Sequence, residues 1–211
     1  MNCNIFQIGA YIGNDDIHMM LNEDINRTAL LIEPVPWFFK KLKANYSNIA
    51  NPDRIVFENV AINTYDGKCD FYCMQDDTNY KYNYDAETDW GSELSGLYEH
   101  IIKEHQNMFF KDCEAKYDKL KLPCATISSL LKKHNITQIE YLKIDTEGFD
   151  GEIIKSWPYD EVRPKYIKFE STHLDGHVNQ FSSSVQIDAK LLKEGYKFYK
   201  LLDRDLIYII K

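Results

Sequence analysis

The sequence predicts an α/β fold on a mostly parallel, doubly wound sheet, and three observations carry that prediction. Short apolar runs alternate with segments whose apolar residues recur at helical spacing, in the order β-α-β-α-β, an inserted loop, then β-α-β-α-β-β. The first run, Ile5-Phe6-Gln7-Ile8, breaks into Gly9 and Gly13, a tight turn whose backbone can approach a ligand closely. Polar residues then recur where later runs end: Glu33, Asn59, Asp145 with Glu147, and Glu170 with His173. In open α/β sheets the ligand crevice lies at that carboxyl edge.

The opening unit reads as a strand through Ile8, the glycine turn, and a helix from about Asp16 to Asn22 capped by Asn14 or Asp15. The Gly-x-x-x-Gly spacing departs from the GxGxxG fingerprint of dinucleotide binding, which disfavours an NAD-dependent enzyme. Thr28 to Ile32 is a second buried strand, ending at Glu33-Pro34. Glu33 lies twenty residues after Gly13, where nucleotide-binding α/β folds place a carboxylate on a ribose diol. Pro36 suits the first turn of a helix whose stripe is Trp37, Phe38, Leu42 and Tyr46.

Ile55-Val56-Phe57 is a third strand, and Asn59 just beyond it offers an amide to a base or ribose. The Asp66-Gly67 turn leads into an alternating strand, Cys69 to Met74. Residues 75–118 read as an inserted loop, with tyrosines clustered between Tyr80 and Trp90; Ser92 to His105 reads as a short helix and Asp112 to Leu120 as charged and exposed. Leu122 to Ile127 is a strand leading to a helix capped by Ser128 or Ser129. Ile139 to Ile144 is the next strand, followed by a helix from about Asp150 to Ser156 that Glu147 opens. Tyr166 to Phe169 is a strand, and Val185 to Glu194 a helix with Val185, Ala189 and Leu192 on one side. Tyr196 to Tyr199 and Leu206 to Ile210 close the sheet around Asp203-Arg204.

The 211 residues suit one domain, 1–211. With 15 Tyr and 11 Phe the chain has ample area to bury, which argues against disorder. A net charge of −8 disfavours nonspecific nucleic-acid or anionic-membrane partners, and no apolar run approaches a membrane span. The five cysteines are odd in number and form no CxxC pair, and no signal peptide precedes them; reduced thiols in the cytoplasm are expected.

Phe6-Gln7-Ile8-Gly9-Ala10-Tyr11-Ile12-Gly13 resembles the first motif of FkbM-type methyltransferases, an acid followed by V-G-A-N-x-G. Leu31-Ile32-Glu33-Pro34, Asn59-Val60-Ala61-Ile62 with the Asp66-Gly67 turn, and Ser95-Gly96-Leu97 are similar to later motifs. Leu142-Lys143-Ile144-Asp145-Thr146-Glu147-Gly148 resembles the K-I-D-V-E-G signature, and Phe169-Glu170 the last strand end. The resemblance covers nearly the whole chain and implies a Rossmann-like seven-stranded sheet with an antiparallel last strand. It implies a minimal class I S-adenosylmethionine-dependent methyltransferase domain. Gln7 stands where the motif has an acid, and Tyr11 where it has Asn.

By resemblance and strand-end geometry, Gln7, Gly9, Tyr11, Gly13, Asn14 and Asp15 shape the methionine and ribose pocket. Glu33 binds the ribose, Asn59 and Ala61 lie near the adenine, Ser95 joins the pocket, and Asp145 sits near the methyl donor. The expected acceptor is a sugar, glycan or similar small hydroxylated molecule, faced by the tyrosine-rich lid. Its hydroxyl needs a base or a Lewis acid. Glu170 or His173 serves as general base. The alternative is a magnesium or manganese ion held by Asp145 and Glu170, with Asp175 as a third oxygen; Glu170, His173 and His177 form a less favoured transition-metal set. Two other classes stay open: a cofactor-binding module of weakened catalysis, which Gln7 favours, and an NAD-dependent enzyme.

Overall fold

In the computed structural model, residues 2–74, 94–109, 117–172, 174 and 181–210 are described. β1 (Asn2–Ile8) forms because apolar and β-favouring residues alternate along it: Phe6 and Ile8 enter one core, Ile5 the opposite one. Asp15 ends the following turn by capping α1 (Asp16–Glu23), its Oδ1 accepting the Ile17 N–H at 3.1 Å. β2 (Ala29–Ile32) is buried at every residue, as expected of a strand covered on both faces. Pro36 opens α2 (Pro36–Asn45), which buries Phe38 and Leu42. β3 (Ile55–Glu58) and β4 (Ala61–Ile62) follow.

The chain then leaves the main sheet. β5 (Gly67–Met74), β6 (Ser95–Gly96) and β7 (Tyr117–Ala125) join β4 in a second sheet of order β4-β7-β5-β6, with α3 (Glu99–Phe109) between β6 and β7 in sequence. β5 and β7 run antiparallel from Gly67–Cys124 to Met74–Tyr117. This corrects three expectations. The strand at Leu122 starts at Tyr117 and belongs to the second sheet; Ser95–Gly96 is strand where a helix was expected; and the helix is shifted to Glu99–Phe109. The charges Asp118, Lys119 and Lys121 hid the strand. Lys119 and Lys121 occupy its outer side, paired to Asp70 of β5, while Asp118 lies on the same side of the strand as Leu122 and Cys124, which face inward.

The remaining elements are α4 (Ile127–Lys133), β8 (Gln138–Ile144), α5 (Asp150–Ser156), β9 (Tyr166–Glu170), α6 (Phe181–Lys193), β10 (Tyr196–Leu202) and β11 (Asp205–Ile210). Thr126, rather than Ser128 or Ser129, caps α4 through the Ser129 N–H. Phe149, rather than Glu147, stands at the N-cap of α5. On α6 the buried residues are Ile187 and Leu191; Val185 and Leu192, expected to pack, are 66% and 55% exposed.

The main sheet has seven strands in the order β10-β11-β9-β8-β1-β2-β3. β3, β2, β1, β8 and β9 run parallel, and β11, the last strand of the chain, is antiparallel to both its neighbours. The order reverses between β1 and β8, the topological switch point where open α/β sheets bind ligands. One core lies between the sheet and α4, α5 and α6, and a second under α1 and α2. A third packs Cys69, Phe71 and Cys73 of β5 beneath Val35 and Phe38. Among the described residues no helix is long and apolar enough to cross a membrane.

Candidate active site

At the switch point the ends of β1 and β8 touch. The Asp145 N–H donates to Ile8 O at 2.9 Å, and the N–H groups of Gly9 and Ala10 donate to Ile32 O at 3.0 Å. Gly9 has φ +79°, and a Cβ there would lie 1.7 Å from the carbonyl oxygen of Asp145. The close approach that glycine permits at this position is therefore to the backbone of β8's end. Gly13 serves packing in the same way: a Cβ would meet Tyr46 and Leu42 of the second core at 2.4 and 2.5 Å. Tyr11 also adopts a left-handed backbone, φ +47°, and its ring stands edge-on to Phe38.

That twist aims the Tyr11 N–H at Glu33. The Glu33 side chain is 3% exposed; Oε2 accepts from Tyr11 N and Oε1 from Val35 N, both at 2.8 Å. Burial dominates its ionisation, with the negative charge of Asp145 adding to it, and the two N–H donors only partly offset them; its pKa is pushed up to about 8. Each oxygen keeps lone-pair capacity for a ligand hydroxyl. Asn59 does not face the ligand side. Its amide donates to Glu33 O at 2.8 Å and Pro34 O at 2.9 Å, holding the bend that presents Glu33.

A cleft opens over these strand ends. Gly9, Tyr11, Glu33, Ala61, Ser95 and Asp145 all line it. Sequence reasoning missed its apolar wall, made by Val60, Ile62, Phe71, Leu97 and Phe149. Val60 and Ile62 flank Ala61 in a motif already singled out, so that signal was present. Phe71 reaches the cleft only because β5 folds back over the sheet edge, which no local pattern discloses. Gln7, Gly13, Asn14, Asp15 and Asn59 do not line the cleft.

On its far side, one oxygen each from Asp145, Glu147 and Glu170 can lie within 4.8 Å of one another, a set able to hold a cation. Glu147 adopts φ +51°, which turns its backbone out of helical register before α5. Behind them Asp150 is fully buried, its Oδ1 accepting the Thr146 N–H at 3.2 Å. Burial, then the charges of Asp145 and Glu170, push its pKa up to about 8. His173, Asp175, His177 and the Tyr80–Trp90 segment lie outside the described residues.

Gln7 and Asp15 face the opposite side of the sheet, where Gln7 Nε2 donates to Asp15 Oδ2 at 2.7 Å. Two buried lysines that sequence reasoning passed over, Lys143 and Lys168, join them there. Burial disfavours charge on Lys143, but Asp15, Asp16 and Asp145 outweigh it and hold the ammonium well above the usual lysine range. Asp16, which burial alone would raise, is held below the usual carboxylate range by Lys143 and Lys168.

A switch-point cleft with a glycine turn, a buried strand-end acid and an apolar slot, on a sheet of this strand order, defines the class I S-adenosylmethionine-dependent methyltransferase fold. The methyltransferase FkbM domain matches residues 7–198, and the chain belongs to that family. Among solved structures it is similar to the methyltransferase FkbM from Methylobacillus flagellatus KT, with TM-score 0.53 and 12% identity over 99% of this chain and 43% of that one. The fibrillarin pre-rRNA processing protein of Methanococcus jannaschii aligns with TM-score 0.49 and 10% identity, over 99% of this chain and 66% of that one. The chain thus spans less than two thirds of either protein. A search of curated protein sequences finds no match.

Proposed function

We propose that this chain is an S-adenosylmethionine-dependent O-methyltransferase acting on a hydroxyl of a sugar, glycan or similar small acceptor. The observation that carries the reading is the buried Glu33 carboxyl group, held by the Tyr11 and Val35 N–H groups beside the apolar wall of the cleft. That pairing suits a nucleoside: a diol for the carboxyl group, and a flat base for the slot beside Ala61 and Phe71. The bound cofactor would supply an electrophilic methyl group. Everything else falls to the protein.

Gly9 and Tyr11 shape the turn beside the methionine end, and Asp145 stands at the junction of cofactor and acceptor sides. Glu170, near enough to Asp145 for both to share an ion, would take the proton from the acceptor oxygen, with His173 the other base that the sequence offers. The other means of activating that oxygen would be a magnesium or manganese ion, which Asp145, Glu147 and Glu170 would hold and which would supply a Lewis acid for the hydroxyl. The four described cysteines are free and buried, which supports a reducing, cytoplasmic setting.

Calorimetry of the folded protein with S-adenosylmethionine and its demethylated product tests the cofactor claim, and no binding of either overturns it. Methyl transfer to a panel of saccharides, assayed by mass, tests the acceptor. Gln7 favours one second reading, a module that binds the cofactor without turnover; binding with no product across the panel would support it.

A further inference from the structure

On the α1 side of the sheet, three neighbouring strands place polar residues on one rung. Gln7 of β1 pairs in register with Lys143 of β8, and Lys143 with Lys168 of β9. The same rung continues into Leu31 on one side and Ile207 on the other. All three polar residues are buried, and two buried ammonium groups are strongly unfavourable unless matched.

The match comes from the start of α1 and from Asp205 at the head of β11. Lys143 Nζ lies 2.5 Å from Asp15 Oδ2 and 3.0 Å from Asp16 Oδ1; Lys168 Nζ lies 2.9 Å from both Asp16 Oδ2 and Asp205 Oδ2. Gln7 Nε2 shares Asp15 Oδ2 with Lys143, while Gln7 Oε1 is buried with no hydrogen-bond partner. Three carboxylates at ion-pair distance thus face two ammonium groups, one negative charge in excess even before the charge of Asp145, which also acts on Lys143, is counted. A carboxylate at position 7 would add a second.

None of these residues lines the cleft, yet they hold what does. The chain between Gln7 and Asp15 is the turn carrying Gly9 and Tyr11. Its upstream end is fixed by β1, and its downstream end by Asp15 on Lys143. We propose that Lys143 and Asp15 are positioning residues for cofactor binding: their ion pair sets the turn against the end of β8, and Gln7 is neutral because Asp15 already supplies the carboxylate that Lys143 needs. This rests on the cofactor reading above.

The test moves the carboxylate. Asp15→Asn keeps the α1 cap, since Asn caps as well as Asp, but removes the charge. Gln7→Glu adds a carboxylate in register with Lys143. Each single variant is expected to weaken binding of the demethylated cofactor product about tenfold or more, and the Gln7→Glu/Asp15→Asn double variant to return to within about threefold of wild type. Calorimetry gives the affinities and thermal unfolding the stabilities. Additive losses in the double variant, or singles that lower the melting temperature while leaving affinity unchanged, would overturn the positioning role and leave the cofactor reading standing. Absence of binding by the wild-type protein would overturn both.

Discussion

A Cβ atom on Gly9 would sit 1.7 Å from the carbonyl oxygen of Asp145. The strand that begins the cleft and the strand that supplies its central acid are in backbone contact, and no side chain fits between them. Gly9→Ala meets that clash on a left-handed backbone. We expect a loss of about 3 kcal/mol or more, and no detectable cofactor binding. Thermal unfolding and calorimetry read the two effects. A variant of wild-type stability would show that β1 and β8 can separate at this point.

Glu33→Ala should weaken cofactor binding about 10- to 100-fold by removing the buried acceptor. It should also lower stability, because the Tyr11 and Val35 N–H groups lose their partner. Glu33→Gln keeps one acceptor oxygen and should lose less of both. Unchanged affinity in the alanine variant would remove Glu33 from the site.

Burial raises Glu33 and Asp150 to about 8, from about 4 in the unfolded chain. For a group raised on folding, stability is fully present below the unfolded value and is lost as pH climbs through the folded one. The cofactor-free protein should therefore lose melting temperature between about pH 4 and 8. Asp150→Asn retains an acceptor for the Thr146 N–H and should flatten that decline. An equal slope in wild type and variant would count against a raised Asp150.

Glu170→Gln should lower turnover by about 10²- to 10⁴-fold while leaving cofactor affinity within about threefold, the pattern of a lost general base or cation ligand. A chelator separates those two roles. If activity falls in chelator and returns with magnesium or manganese, the carboxylates hold an ion; if it is unchanged, Glu170 acts on the proton itself.

Much of this arrangement can be read from residue order alone. The parallel strands are centred on short apolar runs, and Glu33 and Asp145 sit where such runs stop, so their place on one sheet edge follows from topology. Other parts cannot be read that way. β7 is written in alternating charges because its outer side pairs with Asp70, so it resembles an exposed segment. On α6, Ile187 and Leu191 are buried four residues apart, but Val185 and Leu192 are as apolar and face solvent; composition does not say which stripe meets the sheet. Lys143 and Lys168 each interrupt an apolar run, a visible sign of a buried ion pair. Their partners on α1 lie more than a hundred residues upstream, and only the fold shows them.

That separation shapes how the protein reaches its native state. The lysines clamping the first turn of α1 stand 128 and 152 residues away in sequence from Asp15 and Asp16. β1 has its partner β8 equally far along the chain. The glycine turn, though made before β8 and β9, therefore cannot be seated until they exist. Until then, Asp15 and Asp16 remain hydrated and the turn uncommitted. Contacts of such long sequence separation close slowly, so the cleft is among the last features to form.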